Sequence, residues 1–137
     1  MTKFGYPQNL LREGSHWALL VRPQQVTLGS LVLCSLSEVR SYADLPVEAF
    51  AEQREMVAAA EALLREFVGF ERINYLMLMM VDPHVHFHVL PRYEGSRSFN
   101  GQAYSDSGWP GLPDLANCIA SPGALVARLK AAIGAAT

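Results

Sequence analysis

His84-Val85-His86-Phe87-His88-Val89-Leu90 is the stretch on which the reading of this chain turns. Imidazole and apolar side chains alternate through it, and in a strand alternate side chains point to opposite faces. The pattern predicts a strand from His84 to Leu90, with His84, His86 and His88 on one face and Val85, Phe87 and Val89 directed together into the core. A one-residue slip would bury three imidazoles and expose the Phe, so the apolar partners fix the register. Asp82-Pro83 before the segment and Pro91 after it close the strand and argue against a helix.

Upstream, Ile73 to Val81 is nearly all apolar and predicts a strand buried on both faces. Its three methionines, Met77, Met79 and Met80, would point to both faces, which favours core packing over a metal box. Between 46 and 68, Val47, Phe50, Val57, Ala60, Leu64 and Phe67 recur at helical intervals and predict one long amphipathic helix. Asp44 suits its cap, Pro46 its first turn and Gly69 its end, with Glu52, Glu55, Glu61 and Arg65 on a solvated face. Two shorter runs, His16 to Val21 and Leu31 to Leu36, are bounded by Gly or Pro and read as strands. Residues 1–14 read as an irregular lead-in with one helical turn at Asn9 to Arg12.

Downstream, residues 94–120 turn to Gly, Ser, Asn, Pro and Asp and predict a long loop, the kind that is usually functional or mobile. Ser121-Pro122 opens an Ala-rich C-terminal helix over about 122–134, with Ser121 as its cap. No internal repeat occurs. The order of elements predicts an α+β domain: a mostly antiparallel sheet covered by one long helix and a C-terminal helix.

The chain has 137 residues, room for one domain (1–137) with its core over about 15–93. Half of the residues are hydrophobic and 18% charged, as in ordinary soluble domains. A net charge of −2 supplies no field to hold nucleic acid or an anionic membrane, so neither partner is expected and any nucleotide must be held by a local site. Cys34 and Cys118 match no metal or redox spacing and suit a reducing cytoplasm. Residues 1–7 lack the apolar stretch of a signal peptide, and no apolar run approaches the roughly 20 residues of a membrane span. A cytoplasmic protein is expected.

Adjacent imidazoles on a strand face stand about 6.7 Å apart, so one phosphorus can lie in line with one ring while the neighbours serve other atoms. A neutral imidazole is largely deprotonated at neutral pH and attacks phosphorus well; water then resolves the phosphoramidate. The middle ring, His86, is best placed, and a hydrogen bond to its second nitrogen would fix the reactive tautomer. The competing reading is a metal site, because His-x-His on a strand is a familiar zinc arrangement, with Asp82 and Asp106 as further ligands. Against it, three consecutive same-face rings converge poorly on one ion.

The segment from His84 to Leu90, with Pro91-Arg92 after it, resembles the motif of the histidine-triad family in its hydrolase branch. Trp17-Ala18-Leu19-Leu20-Val21 and Leu28-Gly29-Ser30-Leu31-Val32-Leu33 occupy the places of the family's two early strands, and Ala43-Asp44-Leu45 the start of its helix. The resemblance covers Trp17 to Tyr93. It implies a homodimer with an α+β meander fold, and hydrolysis or transfer at the α-phosphate of dinucleoside polyphosphates, as in diadenosine tetraphosphate hydrolases, or of nucleoside phosphoramidates. It also implies His86 as nucleophile and His84 and His88 as groups that hold the phosphate and tune the nucleophile.

The chain departs from the family pattern at two places. Ser30 stands where a further histidine often opens the second strand, and Met79-Met80-Val81-Asp82-Pro83 replaces a Gly-Gln-Ser/Thr phosphate loop. Ser30, Asn74 as a stand-in amide, Arg92 and Trp109 are the candidate substrate contacts, Trp109 through a base or a partner's pocket. Arg22 and Arg97 read as surface charges. The resulting expectation is a metal-free, cofactor-free nucleotide hydrolase or transferase. A metal-binding protein and a nucleotide-binding module with little catalysis are the alternatives.

Overall fold

The computed structural model describes residues 2–135. A 3-10 turn (Thr2–Phe4) leads into β1 (Leu10–Glu13), β2 (Trp17–Val21), β3 (Gln24–Gln25) and β4 (Leu31–Ser35). A second 3-10 turn (Tyr42–Asp44) precedes α1 (Val47–Val68), which is followed by β5 (Arg72–Leu76) and β6 (His86–Arg92). The chain then forms β7 (Ser96–Phe99), β8 (Gln102–Ser105), β9 (Ile119–Ala120) and α2 (Gly123–Ala135). The main sheet is antiparallel with strand order β1-β2-β4-β6-β5, an α+β arrangement as the sequence predicts.

Alternation divides the sheet into two faces. Trp17, Leu19 and Val21 of β2, Leu31 and Leu33 of β4, and Val89 of β6 join the main core with α1 and α2. Each fully buried Leu there contributes at most about 1.5–3 kcal/mol. Ala18, Leu20, Val32 and Cys34 face the other way, where Phe4 from the N-terminal turn completes a smaller cluster. His86 and His88 belong to this second face, because Phe87 packs on the main core.

Several expectations are corrected. The triad strand does not span His84 to Leu90; it starts at His86 and runs through Pro91 to Arg92. Pro91 is opposite Ile73 of β5, yet its carbonyl accepts from the Thr27 hydroxyl (2.6 Å). A strand residue's nitrogen and carbonyl point to the same side, so the nitrogen of Pro91 faces away from the β5 ladder and its missing N–H costs nothing there. The strand read over Ile73 to Val81 ends at Leu76. Met79 takes a left-handed backbone (φ 49), and Met80 and Val81 are 82% and 90% exposed.

Asn9 to Arg12 is no helical turn: Leu10 and Arg12 pair with β2 across a bulge. The long helix buries Ala49, Met56, Ala60, Leu63, Leu64 and Val68, so its core stripe is rotated from the predicted one, and Val47 is 81% exposed. Pro46, not Asp44, holds the N-cap position, while Gly69 ends the helix in the left-handed conformation (φ 57) as expected. Glu52 is not idle on a solvated face; its carboxylate accepts from the backbone N–H groups of Ser15 and His16 (2.6 Å each).

Residues 94–120 are not one loop. β7 and β8 form a hairpin closed by Asn100-Gly101, both at positive φ (49 and 79), the two-residue turn that such a dipeptide favours. β9 pairs with β3 and ties the segment back to the end of β2. Ser121 does not cap α2 with its side chain; its Oγ is buried without a hydrogen-bond partner. Among the described residues no helix is long and apolar enough to cross a membrane, and both cysteines are free.

Candidate functional site

β6 lies between β4 and β5, which sets His86 opposite Cys34 and places His88 between Val32 and Leu76. The two rings stand perpendicular (89°) with centroids 5.1 Å apart. Phe4 packs on both, 4.9 Å from His86 and 6.5 Å from His88. His86 is only 4% exposed, and it borders a pocket of about 390 Å³ beside the N-terminal turn. Lys3, Arg22, the Leu78-to-Asp82 segment and His88 line the rest of the chamber. Its walls combine two cations with a long apolar surface.

Hydrogen bonds assign the protons on both rings. His86 Nδ1 lies 2.5 Å from the carbonyl oxygen of His84, so Nδ1–H donates and Nε2 carries the lone pair. His88 is the reverse case. Arg22 Nε–H donates to His88 Nδ1 (3.3 Å), and a guanidinium cannot accept, so the His88 proton sits on Nε2. Burial pushes the His88 pKa down to about 4, with the neighbouring Arg22 and His86 adding to the effect. In the neutral form of each ring, His86 therefore presents a bare Nε2 and His88 an Nε2–H.

His84 does not share the strand face with the other two. Its ring bonds the carbonyl oxygen of Ser35, and it borders a separate hollow with Glu38, Arg40 and Asp82. Its backbone is what reaches the site, through the carbonyl held by His86. The His84 N–H donates to Asp82 Oδ1 (2.9 Å), and this bond holds the Asp82 carboxyl below the usual carboxylate range.

The four candidate substrate contacts fall elsewhere. Ser30 is wholly buried, its hydroxyl donating to the Thr27 carbonyl (2.7 Å) and accepting from the Thr27 N–H (3.1 Å), so it cannot meet a substrate. Arg92 is 3% exposed and forms a two-pronged pair with Asp106 (2.7 and 3.0 Å). It also donates to Asn74 Oδ1 (2.8 Å) and to the Gly111 carbonyl (3.0 Å). Asn74, Arg92 and Trp109 border a second hollow at the Arg72 end of β5, away from His86 and His88. The trailing arginine thus ties β6 to the segment after β8 and does not face the histidine pocket.

Arg22, Lys3 and Phe4 are the pocket residues that sequence reading passed over. Arg22 had a legible signal: Ala18, Leu20 and Arg22 share one parity on β2, and Leu20 pairs with Val32, which pairs with His88. That inference needs the strand order, which the sequence does not print. Among the described residues no three His, Cys, Asp or Glu side chains gather closely enough to hold a metal ion.

No protein-family model matches the sequence, and no curated protein matches it. Solved structures do resemble the fold. A histidine triad protein from Sinorhizobium meliloti 1021 superposes with a TM-score of 0.73 at 19% identity, over 92% of this chain and 87% of that one. A hypothetical histidine triad nucleotide-binding protein from Sulfolobus tokodaii strain7 gives 0.63 at 16% identity, over 91% and 80%. A zinc-bound histidine triad family protein from Mycobacterium smegmatis gives 0.63 at 18% identity, over 95% and 86%. These likenesses establish the fold: an antiparallel sheet with two helices, built as in the histidine triad proteins.

Proposed function

We propose that this chain, which carries the histidine-triad fold, belongs to that family and is a nucleotide hydrolase or transferase acting at the α-phosphate of nucleotide conjugates. Dinucleoside polyphosphates and nucleoside phosphoramidates are the substrate classes. The supporting observation is the pair of opposite tautomers, a bare Nε2 on His86 beside an Nε2–H on His88. His86 Nε2 attacks phosphorus, a P–N bond forms, and the bond from phosphorus to the leaving oxygen or nitrogen breaks. His88 Nε2–H hydrogen-bonds the departing atom; a polyphosphate leaves as its anion, and an amine leaves with a proton taken up from water. Water then attacks the nucleotidyl-histidine, the P–N bond breaks, and a nucleoside monophosphate leaves with His86 restored.

Lys3 offsets phosphate charge in a pocket that has no Gly-Gln-Ser/Thr loop. His84 serves through its carbonyl. A nucleotide-binding neighbour with the same fold is consistent with this reading. The metal alternative has a zinc-bound neighbour in its favour. The donors of this chain do not fit it, because His84 is turned to Ser35 and two imidazoles alone make a poor shell.

A homodimer forms part of the proposal. β5 is an outer strand of the sheet with a free edge, and exposed Leu78, Met80, Val81 and Leu112 flank it. Two β5 edges paired antiparallel would bring the Trp109 end of one copy beside the Leu78-to-Val81 wall of the other. Localisation in the cytoplasm is part of the same proposal, and two free thiols suit a reducing compartment.

Mass spectrometry of the intact chain after brief exposure to an adenosine phosphoramidate tests the mechanism. One adenylyl group on His86, and turnover that is lost in His86→Ala, is the expected result. Full turnover by His86→Ala would refute it. Tight binding of adenosine monophosphate without turnover of either substrate class would leave a binding module instead.

A further inference from the structure

Arg22 closes β2 at the point where Pro23 turns the chain, and its backbone is held from two sides. Its N–H donates to the Ser30 carbonyl (2.9 Å), and its own carbonyl accepts from the Gln25 amide (2.9 Å). The guanidinium is held as well: Nη1 donates to the Gln24 carbonyl (2.5 Å) and Nε to His88 Nδ1 (3.3 Å). The Cys118 thiol, brought in by the pairing of β3 with β9, lies beside it. So fixed a cation, half-buried, does more than decorate a surface.

A guanidinium has donors only. Whatever imidazole nitrogen meets it must offer a lone pair, which leaves the ring's proton on the opposite nitrogen. A histidine without such a partner would exchange between tautomers or take a second proton. The charges facing His88 are few: Arg22 from the end of β2, His86 along β6, and Lys3 and Asp82 on the pocket wall.

We propose that Arg22 is a positioning residue, which locks His88 in the Nε2–H tautomer and so equips that ring to hydrogen-bond the atom leaving phosphorus. The last clause rests on the hydrolase reading; the lock itself does not. Burial, with the guanidinium adding to it, opposes protonation of His88, which keeps the ring neutral through the pH range in which His86 must be neutral to attack. Both rings are then ready at once.

Imidazole ¹⁵N spectra of the full chain, recorded as a pH titration for wild type, Arg22→Met and Arg22→Lys, test the lock. Wild type should show His88 with a protonated Nε2 and a bare Nδ1, titrating only near pH 4. Arg22→Met should bring mixed tautomers and a midpoint above that of wild type, still below the ordinary value because burial continues to lower it. Arg22→Lys, with donors only, should recover part of both properties. An unchanged tautomer and midpoint in Arg22→Met would overturn the proposal, and Arg22→Lys serves the same comparison should the methionine variant fold poorly.

Kinetics on an adenosine phosphoramidate give the second readout. Loss of the lock should lower kcat about tenfold with little change in KM, and Arg22→Lys should restore part of it. A raised KM with kcat intact would make Arg22 a plain phosphate contact and overturn the positioning role. Absence of any turnover in wild type would sink the hydrolase reading alone, while the spectra would still decide whether Arg22 sets the His88 proton.

Discussion

His86 Nδ1 donates to the backbone carbonyl of His84, two residues earlier in the chain, across 2.5 Å. A turn that places His84 just outside the strand aims this carbonyl at the ring, so backbone geometry sets which nitrogen of His86 carries the proton. Substituting the His84 side chain therefore has a different meaning from substituting His86. His84→Ala removes the ring's bond to Ser35 and leaves the carbonyl in place. It should retain most of the rate, whereas His86→Ala should lose at least about 1,000-fold. Turnover of a nucleoside phosphoramidate by both variants, with circular dichroism as the folding control, checks the contrast.

Acid should destabilise the fold through His88. Its folded-state pKa is about 4, below the roughly 6.5 of an unfolded histidine. Between those values the unfolded chain binds the extra proton, so stability is fully present above about pH 6.5 and declines as pH falls toward 4. Urea midpoints measured from pH 7 to pH 4 should fall for wild type, and His88→Gln should flatten that part of the curve. An equal slope in the variant would assign the decline to other groups.

Removing one member of the buried Arg92–Asp106 pair leaves the other charge without a partner. Asp106 also accepts from the Tyr93 N–H (3.1 Å), so Asp106→Ala severs three hydrogen bonds at once. The expected cost is about 3–5 kcal/mol, read from chemical unfolding. A double change, Arg92→Met with Asp106→Leu, should cost much less, because no charge stays buried. Equal losses in the single and double variants would contradict this account.

Association through β5 should respond to charge on its apolar flank. Met80→Glu with Val81→Glu places two carboxylates where wild type exposes apolar side chains. Sedimentation equilibrium should find paired chains in wild type and a shift toward single chains in the variant. A wild-type chain that stays single at high concentration would discard the dimer.

The histidine strand was legible because alternation is a local property. Val85 and Val89 are buried and Phe87 packs on the main core, so the register read from the sequence holds. The hairpin at Asn100-Gly101 was missed: the dipeptide is a turn signal, but the polar composition around it reads as one long loop. Arg92 shows the opposite problem. An arginine directly after the histidine strand invites pairing with a substrate, and only Asp106, fourteen residues on, shows that its charge is already taken.

By itself the sequence determined the elements whose cause is local: the two-residue period of β6, the long amphipathic helix ending at Gly69, and an α+β order of segments. It also determined that imidazoles would meet on one side of a strand. Tertiary structure decided which of them meet and with what. The order β2-β4-β6 brought Arg22 to His88, the N-terminal turn laid Phe4 on His86, and the turn before β6 sent the His84 ring to Ser35. The physical reason is that a tautomer depends on one hydrogen bond to one partner, and here a partner 66 residues away in sequence is chosen by sheet register, which no local pattern encodes.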